Sequence, residues 1–269
     1  MRLEVAGRGV YAYTGTRAAN AALPTIVFVH GAANDHGVFA LQSRYFAWHG
    51  WNAIALDLPA HGRSEGPALA SVAAIADWLI TVLDAARVAR AVFVGHSLGS
   101  LAVLECAGRH AGRVAKIALL APAVPMTVAD DLLAAAADGD HLAFELINGW
   151  SFGPAAQLGG NRVPGMWMLG NSMRLMERSA PGVLATDLFA CHRYADGLAA
   201  AAAVRCESLV VQGTRDVMAP PRNARSLIDA LPRPQVVTLP GAGHALMTEE
   251  PDRVLDALVR FAGPARAAA

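Results

Sequence analysis

The pentapeptide GHSLG, at residues 95–99, constrains the fold of this chain more than any other feature. It lies between an apolar run at 91–94 and a helix-like run at 98–109, so the sequence predicts a strand that turns at Ser97 directly into a helix. Such a turn strains the serine backbone and leaves the hydroxyl exposed at the strand end. Glycines flank the serine because a side chain at Gly95 or Gly99 would clash where the helix crosses the strand.

Charge and hydropathy exclude two classes of partner. The 269 residues include 22 Lys plus Arg and 22 Asp plus Glu, so the net charge is near zero and nothing in it favours nucleic acid. Charged residues and prolines interrupt every apolar run before it reaches the length of a membrane span. We therefore expect no nucleic-acid partner and no membrane insertion.

The N-terminal residues and the cysteines bear on location. Residues 1–5 (MRLEV) lack the apolar core and cleavage site of a signal peptide. Cys106, Cys191 and Cys206 are odd in number and have no CxxC spacing, which is typical of reduced thiols rather than of disulfides or a metal site. The sequence predicts a cytoplasmic protein, a monomer or homodimer, that acts on a small-molecule substrate.

Short apolar runs alternate with helical patterns along most of the chain. Predicted strands lie at 3–5, 11–14, 25–30, 52–56, 91–94, 114–120, 208–212 and 235–239, and predicted helices at 71–86, 98–109, 222–231 and 251–261. The first two strands are expected to form an antiparallel hairpin. The remaining alternation predicts an α/β fold, with a mostly parallel eight-stranded sheet and helices on both faces.

Residues 124–204 break this alternation, because they contain helix-like segments and no convincing strand. The helical segments are predicted at 127–137, 141–148, 171–178 and 181–193. We expect a helical cap, or lid, at 124–204 over the carboxyl ends of the strands, and a core made of 1–123 and 205–269. The segment holds five of the eight methionines, and flexible thioethers suit an apolar substrate.

Four apolar residues are candidates for the wall of a substrate pocket. Met126 and Trp167 lie in the predicted cap, and Val217 and Met218 follow the predicted strand at 208–212. The alternative is that such residues only hold the cap on the core.

A serine hydroxyl is a poor nucleophile at neutral pH, so it needs a base and a third group that orients the base. Asp216 follows the strand at 208–212 on a loop that ends in prolines, and His244 follows the strand at 235–239 on a glycine-rich loop. Both are therefore predicted at the same sheet edge as Ser97. No metal ligand set or cofactor motif accompanies them.

Other histidines and acids compete for these roles. His30 and His61 precede the serine and are expected to be structural, and His96 is expected to point away from Ser97. Asp130 and Asp131 lie well beyond the sixth predicted strand, so Asp216 is the better candidate for the acid.

Backbone donors for a developing oxyanion are predicted at two positions. Gly31 follows a buried strand and allows the chain to expose the next N–H, that of Ala32. The N–H of Leu98 lies at the positive end of the helix that follows Ser97. The two N–H groups together would form an oxyanion hole.

These motifs together resemble the α/β-hydrolase superfamily. The resemblance rests on His30-Gly31, on the D-x-P-x-H-G-x-S loop at 57–64, on the GHSLG turn, on Asp216 and on Gly243-His244. It covers almost the whole chain and implies the order nucleophile, acid, histidine, with Ser97, Asp216 and His244 as a catalytic triad. It also implies a nucleophile elbow at Ser97, an oxyanion hole and no cofactor.

Within that superfamily, a serine at position 97 disfavours the dehalogenases and epoxide hydrolases, which use aspartate. The expected activity is that of a carboxylesterase-like serine hydrolase acting on an ester or lactone of a small to medium, largely apolar substrate. Two alternatives stay open: hydrolysis of a C–C bond in a meta-cleavage-type diketone, and ligand binding with little turnover. Cofactor-free haloperoxidases share the same triad.

Overall fold

A computed structural model describes residues 1–160 and 165–265. Among these residues there are eight strands: β1 (Arg2–Val5), β2 (Arg8–Tyr13), β3 (Thr25–Val29), β4 (Asn52–Leu56), β5 (Ala91–His96), β6 (Val114–Leu120), β7 (Glu207–Gly213) and β8 (Gln235–Leu239). They form one sheet in the order β1-β2-β4-β3-β5-β6-β7-β8. Only the pairings β1 with β2 and β2 with β4 are antiparallel. The predicted mostly parallel eight-stranded sheet is confirmed.

The helices of the same described ranges are α1 (Ala40–Trp48), α2 (Val72–Ala85), α3 (Leu98–Arg109), α4 (Asp130–Asp138), α5 (Leu142–Ser151), α6 (Pro154–Gln157), α7 (Met168–Met176), α8 (Val183–His192), α9 (Gly197–Ala203), α10 (Arg225–Ala230), α11 (Leu246–Glu249) and α12 (Pro251–Ala262). Short 3-10 helices occur at His36–Phe39, Ala111–Arg113 and Pro221–Ala224. In the part of the chain that is described, no helix is long and apolar enough to cross a membrane.

The central strands β3, β4 and β5 are buried on both faces of the sheet, since every residue in them is buried and successive residues point to opposite sides. In β3, Val27 belongs to the apolar core that α2 and α3 cover, and Phe28 belongs to the core that α1 and α12 cover. Ser71 caps the N-terminus of α2, and its hydroxyl accepts a hydrogen bond from the N–H of Ala74.

Helices α4 to α9 form a long insertion between β6 and β7. The helices α4, α5, α7 and α8 share a small apolar core, which also includes Ala33 from the loop after β3. In α9, Ala200 and Ala201 join the main core that lies against α3. The insertion thus contacts the loops at the carboxyl edge of the sheet, and the cap boundary at 124–204 stays a prediction.

Candidate active site

Ser97 occupies a strained position between β5 and α3. Its φ is 52° and its ψ is −118°, in a region that residues with a side chain rarely adopt. A Cβ on Gly95 would lie 2.1 Å from the carbonyl oxygen of Gly99, and a Cβ on Gly99 would lie 2.2 Å from that of Val29. The strand and helix therefore approach so closely that the neighbouring glycines are required, and the sharp turn brings Ser97 to the wall of a cavity.

His244 and Asp216 form a buried pair at the same edge of the sheet. The distance between His244 Nδ1 and Asp216 Oδ2 is 2.8 Å. The other oxygen of Asp216 accepts hydrogen bonds from the backbone N–H groups of Met218 and Ala219 at 2.9 and 2.8 Å. Burial by itself would raise the pKa of Asp216, but the charge and hydrogen bond of His244 and these two N–H groups outweigh it and lower that pKa.

The insertion fixes the loop that carries His244. The carbonyl of Ser151, at the end of α5, accepts hydrogen bonds from the N–H groups of His244 and Ala245 at 2.8 and 2.9 Å. Glu249 accepts one from Gly243 N–H at 2.9 Å and one from Gly153 N–H at 2.8 Å. Both contacts join the loop after β8 to the segment after α5, so the position of His244 depends on residues of the insertion.

His96 supports His244 from the side of β5. Its Nε2 lies 2.9 Å from the carbonyl oxygen of His244, and since a carbonyl only accepts, this nitrogen carries the proton. Burial, with a smaller effect of His244, lowers the pKa of His96 to about 3. His96 is therefore a neutral donor that holds the backbone of His244, a role that the sequence did not indicate.

The loop after β3 passes beside Ser97. A Cβ on Gly31 would lie 3.2 Å from Ser97 Cβ and 3.0 Å from His96 Nδ1. His30 donates through Nδ1 to the carbonyl of Gly31 at 2.8 Å, and its Nε2 accepts from the N–H of Leu58 at 3.1 Å. Burial, with the nearby His61, lowers the pKa of His30 to about 3, so His30 is a neutral support of this loop.

Asp57 anchors the loop after β4. It accepts hydrogen bonds from the backbone N–H groups of His36 and Arg63 and from His36 Nδ1, at 2.8, 2.9 and 2.7 Å. The ligand atoms of Asp35, His36 and Asp57 lie within 4.8 Å of one another, a spacing compatible with a metal. The oxygens of Asp35 already accept from Gly37 N–H and from the side chain of Arg178. This group is therefore a hydrogen-bonded support of two loops.

A largely apolar cavity of about 440 Å³ lies over these residues. Its wall includes Gly31, Ala32, Ser97, Met126, Trp150, Met166, Met168, Met176, Val217, Met218 and His244. Of the four residues predicted for the pocket, Met126, Val217 and Met218 lie on this wall.

Within the described parts of the chain, Trp167 is not on the wall of this cavity, although Met166 and Met168 on either side of it are. The Trp167 side chain is 72% exposed and its ring packs beside Gly170 at the start of α7. The rival acids Asp130 and Asp131 are exposed in the first turn of α4.

Comparisons with known proteins agree with this architecture. A family profile described as the alpha/beta hydrolase family matches residues 26–257. The pimeloyl-[acyl-carrier protein] methyl ester esterase of Neisseria meningitidis is 30% identical over 231 residues, which are 83% of this chain and 87% of that protein. An uncharacterized protein of Mycobacterium tuberculosis is 30% identical over 88% of this chain and 75% of its own length.

Among solved structures, the enol-lactonase of Burkholderia xenovorans has a TM-score of 0.84 with 24% identity, and the match covers 97% of this chain and 99% of that one. This similarity shows that the two chains share a fold.

Proposed function

The chain belongs to the alpha/beta hydrolase family, and on that premise we propose that it is a serine hydrolase that cleaves a carboxylic ester or lactone. In this proposal Ser97 is the nucleophile, His244 the general base and Asp216 the group that orients the base. One observation carries the assignment: Ser97 and His244 line the same cavity, and buried Asp216 lies 2.8 Å behind the Nδ1 of His244.

The hydrogen bond to Asp216 determines which nitrogen of His244 can act as a base. An ionised carboxylate only accepts, so Nδ1 carries the proton and Nε2 has the free lone pair. Nε2 then takes the proton of Ser97 Oγ as that oxygen attacks the substrate carbonyl, and later returns it to the leaving alkoxide oxygen. Water, activated in the same way, hydrolyses the acyl-enzyme and releases Ser97.

We assign the oxyanion hole to the N–H groups of Ala32 and Leu98. Leu98 is the first residue of α3, so its N–H has no partner within the helix. In the loop after β3, the N–H of Ala33 already donates to Asp187 at 2.9 Å and is not available to an oxyanion. Ala32, one residue earlier, lines the cavity. Two donors directed at the developing oxyanion stabilise it more than they stabilise the ground-state carbonyl.

The cavity supports a small to medium, largely apolar substrate. Its volume of about 440 Å³ lies in the lower part of the range of small-molecule pockets, about 300–1,000 Å³. Methionine thioethers from the insertion form part of the wall, and they adapt to irregular apolar groups. The name of the Neisseria relative, a methyl ester esterase, supports an ester as the bond that is cleaved.

A fluorophosphonate probe tests this proposal. We expect mass spectrometry to locate the adduct on Ser97, and we expect an ester panel of graded acyl length to show a maximum in kcat/KM. Ser97→Ala should lower kcat by about 10³-fold or more, whereas Ser226→Ala, at an exposed serine of α10, should match the wild type. Near-native esterase activity in Ser97→Ala would show that the assignment is wrong.

The panel also includes lactones and a vinylogous diketone. A clearly higher kcat/KM for the diketone would show that the protein hydrolyses a C–C bond rather than an ester, with the same catalytic residues. Tight binding of these compounds with no turnover would instead favour a ligand-binding protein.

A further inference from the structure

Asp187 lies inside the insertion, yet its carboxylate contacts a loop of the sheet. It is in the middle of α8, and its side chain is buried. Its Oδ2 accepts a hydrogen bond from the backbone N–H of Ala33 at 2.9 Å, and lies 2.8 Å from Nε2 of His61. One oxygen atom therefore joins the insertion, the loop after β3 and the loop after β4.

The partners of His61 show that this contact is an ion pair. Nδ1 of His61 lies 2.9 Å from the carbonyl oxygen of Pro59, and Nε2 lies 2.8 Å from Asp187 Oδ2. A carbonyl and an ionised carboxylate both only accept, so both ring nitrogens carry protons and His61 is cationic. Burial opposes this charge, but the hydrogen bond and charge of Asp187 outweigh it and raise the pKa of His61.

Ala33, the residue held by Asp187, has an unfavourable backbone conformation. Its φ is 51°, and this left-handed conformation is unfavourable in free energy for any residue that has a Cβ. Such a conformation persists only where the surrounding structure imposes it. A second residue of the insertion binds it as well, since the hydroxyl of Ser179 donates to the carbonyl of Ala33 at 3.2 Å. Both polar groups of the Ala33 backbone are thus bonded to the insertion.

We infer that Asp187, paired with His61, is a positioning residue that holds the Ala32 N–H in the oxyanion hole. The inference rests on the proposed function, because it assigns a task to the oxyanion donor of that function. Asp187 holds the peptide between Ala32 and Ala33, and the peptide that carries the Ala32 N–H is joined to it at the Ala32 Cα. Movement of the held peptide would therefore also move the Ala32 N–H. The insertion then serves the chemistry by fixing a donor on the sheet, in addition to forming the wall of the cavity.

Asp187→Ala removes the acceptor and tests this inference. We expect kcat to fall about 10–100-fold, because small misplacement of a catalytic group costs rate on this scale. We expect KM to change less than about threefold, since the oxyanion donors act mainly on the transition state. Asp187→Asn keeps an acceptor oxygen without the charge and should recover most of the lost kcat.

A trifluoromethyl ketone matched to the preferred ester gives a second measurement. Ser97 Oγ adds to its carbonyl carbon, the carbonyl π electrons become the oxyanion, and the serine proton moves to His244. We expect Asp187→Ala to raise its inhibition constant by the same factor as it lowers kcat/KM. A role confined to stability would leave this constant unchanged in the folded protein.

The matched control is Tyr194→Phe. The Tyr194 hydroxyl donates to Glu105 of α3 at 2.6 Å, so this variant also removes one buried bond between the segment after α8 and the sheet domain. We expect it to lower the melting temperature while kcat and the inhibition constant stay within about threefold of the wild type. Should Asp187→Ala fail to fold, Ser179→Ala removes the other bond to Ala33 and should change kcat in the same direction, by about 3–10-fold.

The outcomes separate the two proposals. If Asp187→Ala, or Ser179→Ala in its place, resembles Tyr194→Phe while Ser97 carries the turnover, the positioning role of Asp187 is wrong and the serine mechanism stands. If the wild type has no turnover that depends on Ser97, both proposals fall.

Discussion

His244 Nδ1 donates to Asp216 Oδ2 over 2.8 Å, and two backbone N–H groups bind the other oxygen of that carboxylate. The carboxylate is thereby fixed before any substrate arrives. Asp216→Asn keeps the shape of the side chain, but its amide N–H₂ can donate to Nδ1 and shift the ring proton to Nε2.

We therefore expect Asp216→Asn to lower kcat by about 10⁴-fold with little change in KM, measured on the preferred ester. Asp256→Asn, at an exposed position of α12, is the control and should be indistinguishable from the wild type. A loss in Asp216→Asn below tenfold would contradict the orienting role of this residue.

The close approach of α3 to β3 predicts a large effect of one methyl group on stability. Gly99→Ala places a Cβ 2.2 Å from the carbonyl oxygen of Val29, which the backbone can relieve only by moving Ser97 or β3. We expect a loss of about 3 kcal/mol in the free energy of unfolding, measured by urea denaturation.

Gly149→Ala is the matched control in a helix. Gly149 lies within α5, and a Cβ there meets no atom within 4 Å. Alanine has the better helix propensity, so this variant should be about 0.5–1 kcal/mol more stable than the wild type. If both variants had the same effect, the steric argument at the turn would be wrong.

Because His96 is buried in its neutral form, we expect the free energy of unfolding to decrease in acid. The unfolded chain binds a proton on this histidine near pH 6.5, whereas burial holds the pKa in the folded protein at about 3. Since the unfolded state binds more protons between these values, stability is fully present above pH 6.5 and falls as the pH decreases below it. At pH 5 the loss from this histidine is about 2 kcal/mol.

Urea denaturation at pH 7.5 and pH 5.0 measures this effect. His96→Gln keeps a side-chain donor for the carbonyl of His244 but does not titrate. Its stability should therefore depend less on pH than that of the wild type, by about 2 kcal/mol between the two conditions. Equal pH dependence of the two proteins would show that His96 is not the source.

The cavity wall predicts which residues set the preferred acyl length. Met126→Ala should enlarge the cavity and shift the maximum of kcat/KM toward longer acyl chains, since Met126 is a buried wall residue. Trp167→Ala should leave the chain-length profile unchanged, because that ring is 72% exposed. If the maximum shifted in Trp167→Ala and not in Met126→Ala, the acyl group would have to bind elsewhere.

The sequence predicts the sheet well, because its strands are short apolar runs between turn residues. Strands β4, β6 and β8 have the predicted bounds, and Ser97, Asp216 and His244 were each expected at a strand end. Helix α1 was not predicted, because its buried face includes Gln42 and Ser43, which hide the apolar periodicity.

Sequence patterns could not predict the contacts between the insertion and the sheet. Asp187 is a single acid within a helix, and its partner His61 is 126 residues away along the chain. No local rule links the two, since their proximity follows from how α8 packs over the sheet edge. Trp167 was expected on the cavity wall from its residue type. The structure places Met166 and Met168 on the wall instead, and which of these neighbouring residues faces the cavity depends on where α7 begins, which the sequence pattern does not fix.

The carbonyl of Ser151, which holds two successive N–H groups of the histidine loop, has a consequence for chimeric proteins. Relatives with this architecture invite exchange of the segment between β6 and β7 as if it were an independent module. Here the incoming segment must bring a backbone carbonyl to the position of Ser151, since without it the loop loses its acceptor and His244, the proposed general base, is displaced. A transplant that is meant to change selectivity without loss of rate must therefore reproduce this contact or carry its own histidine loop with it.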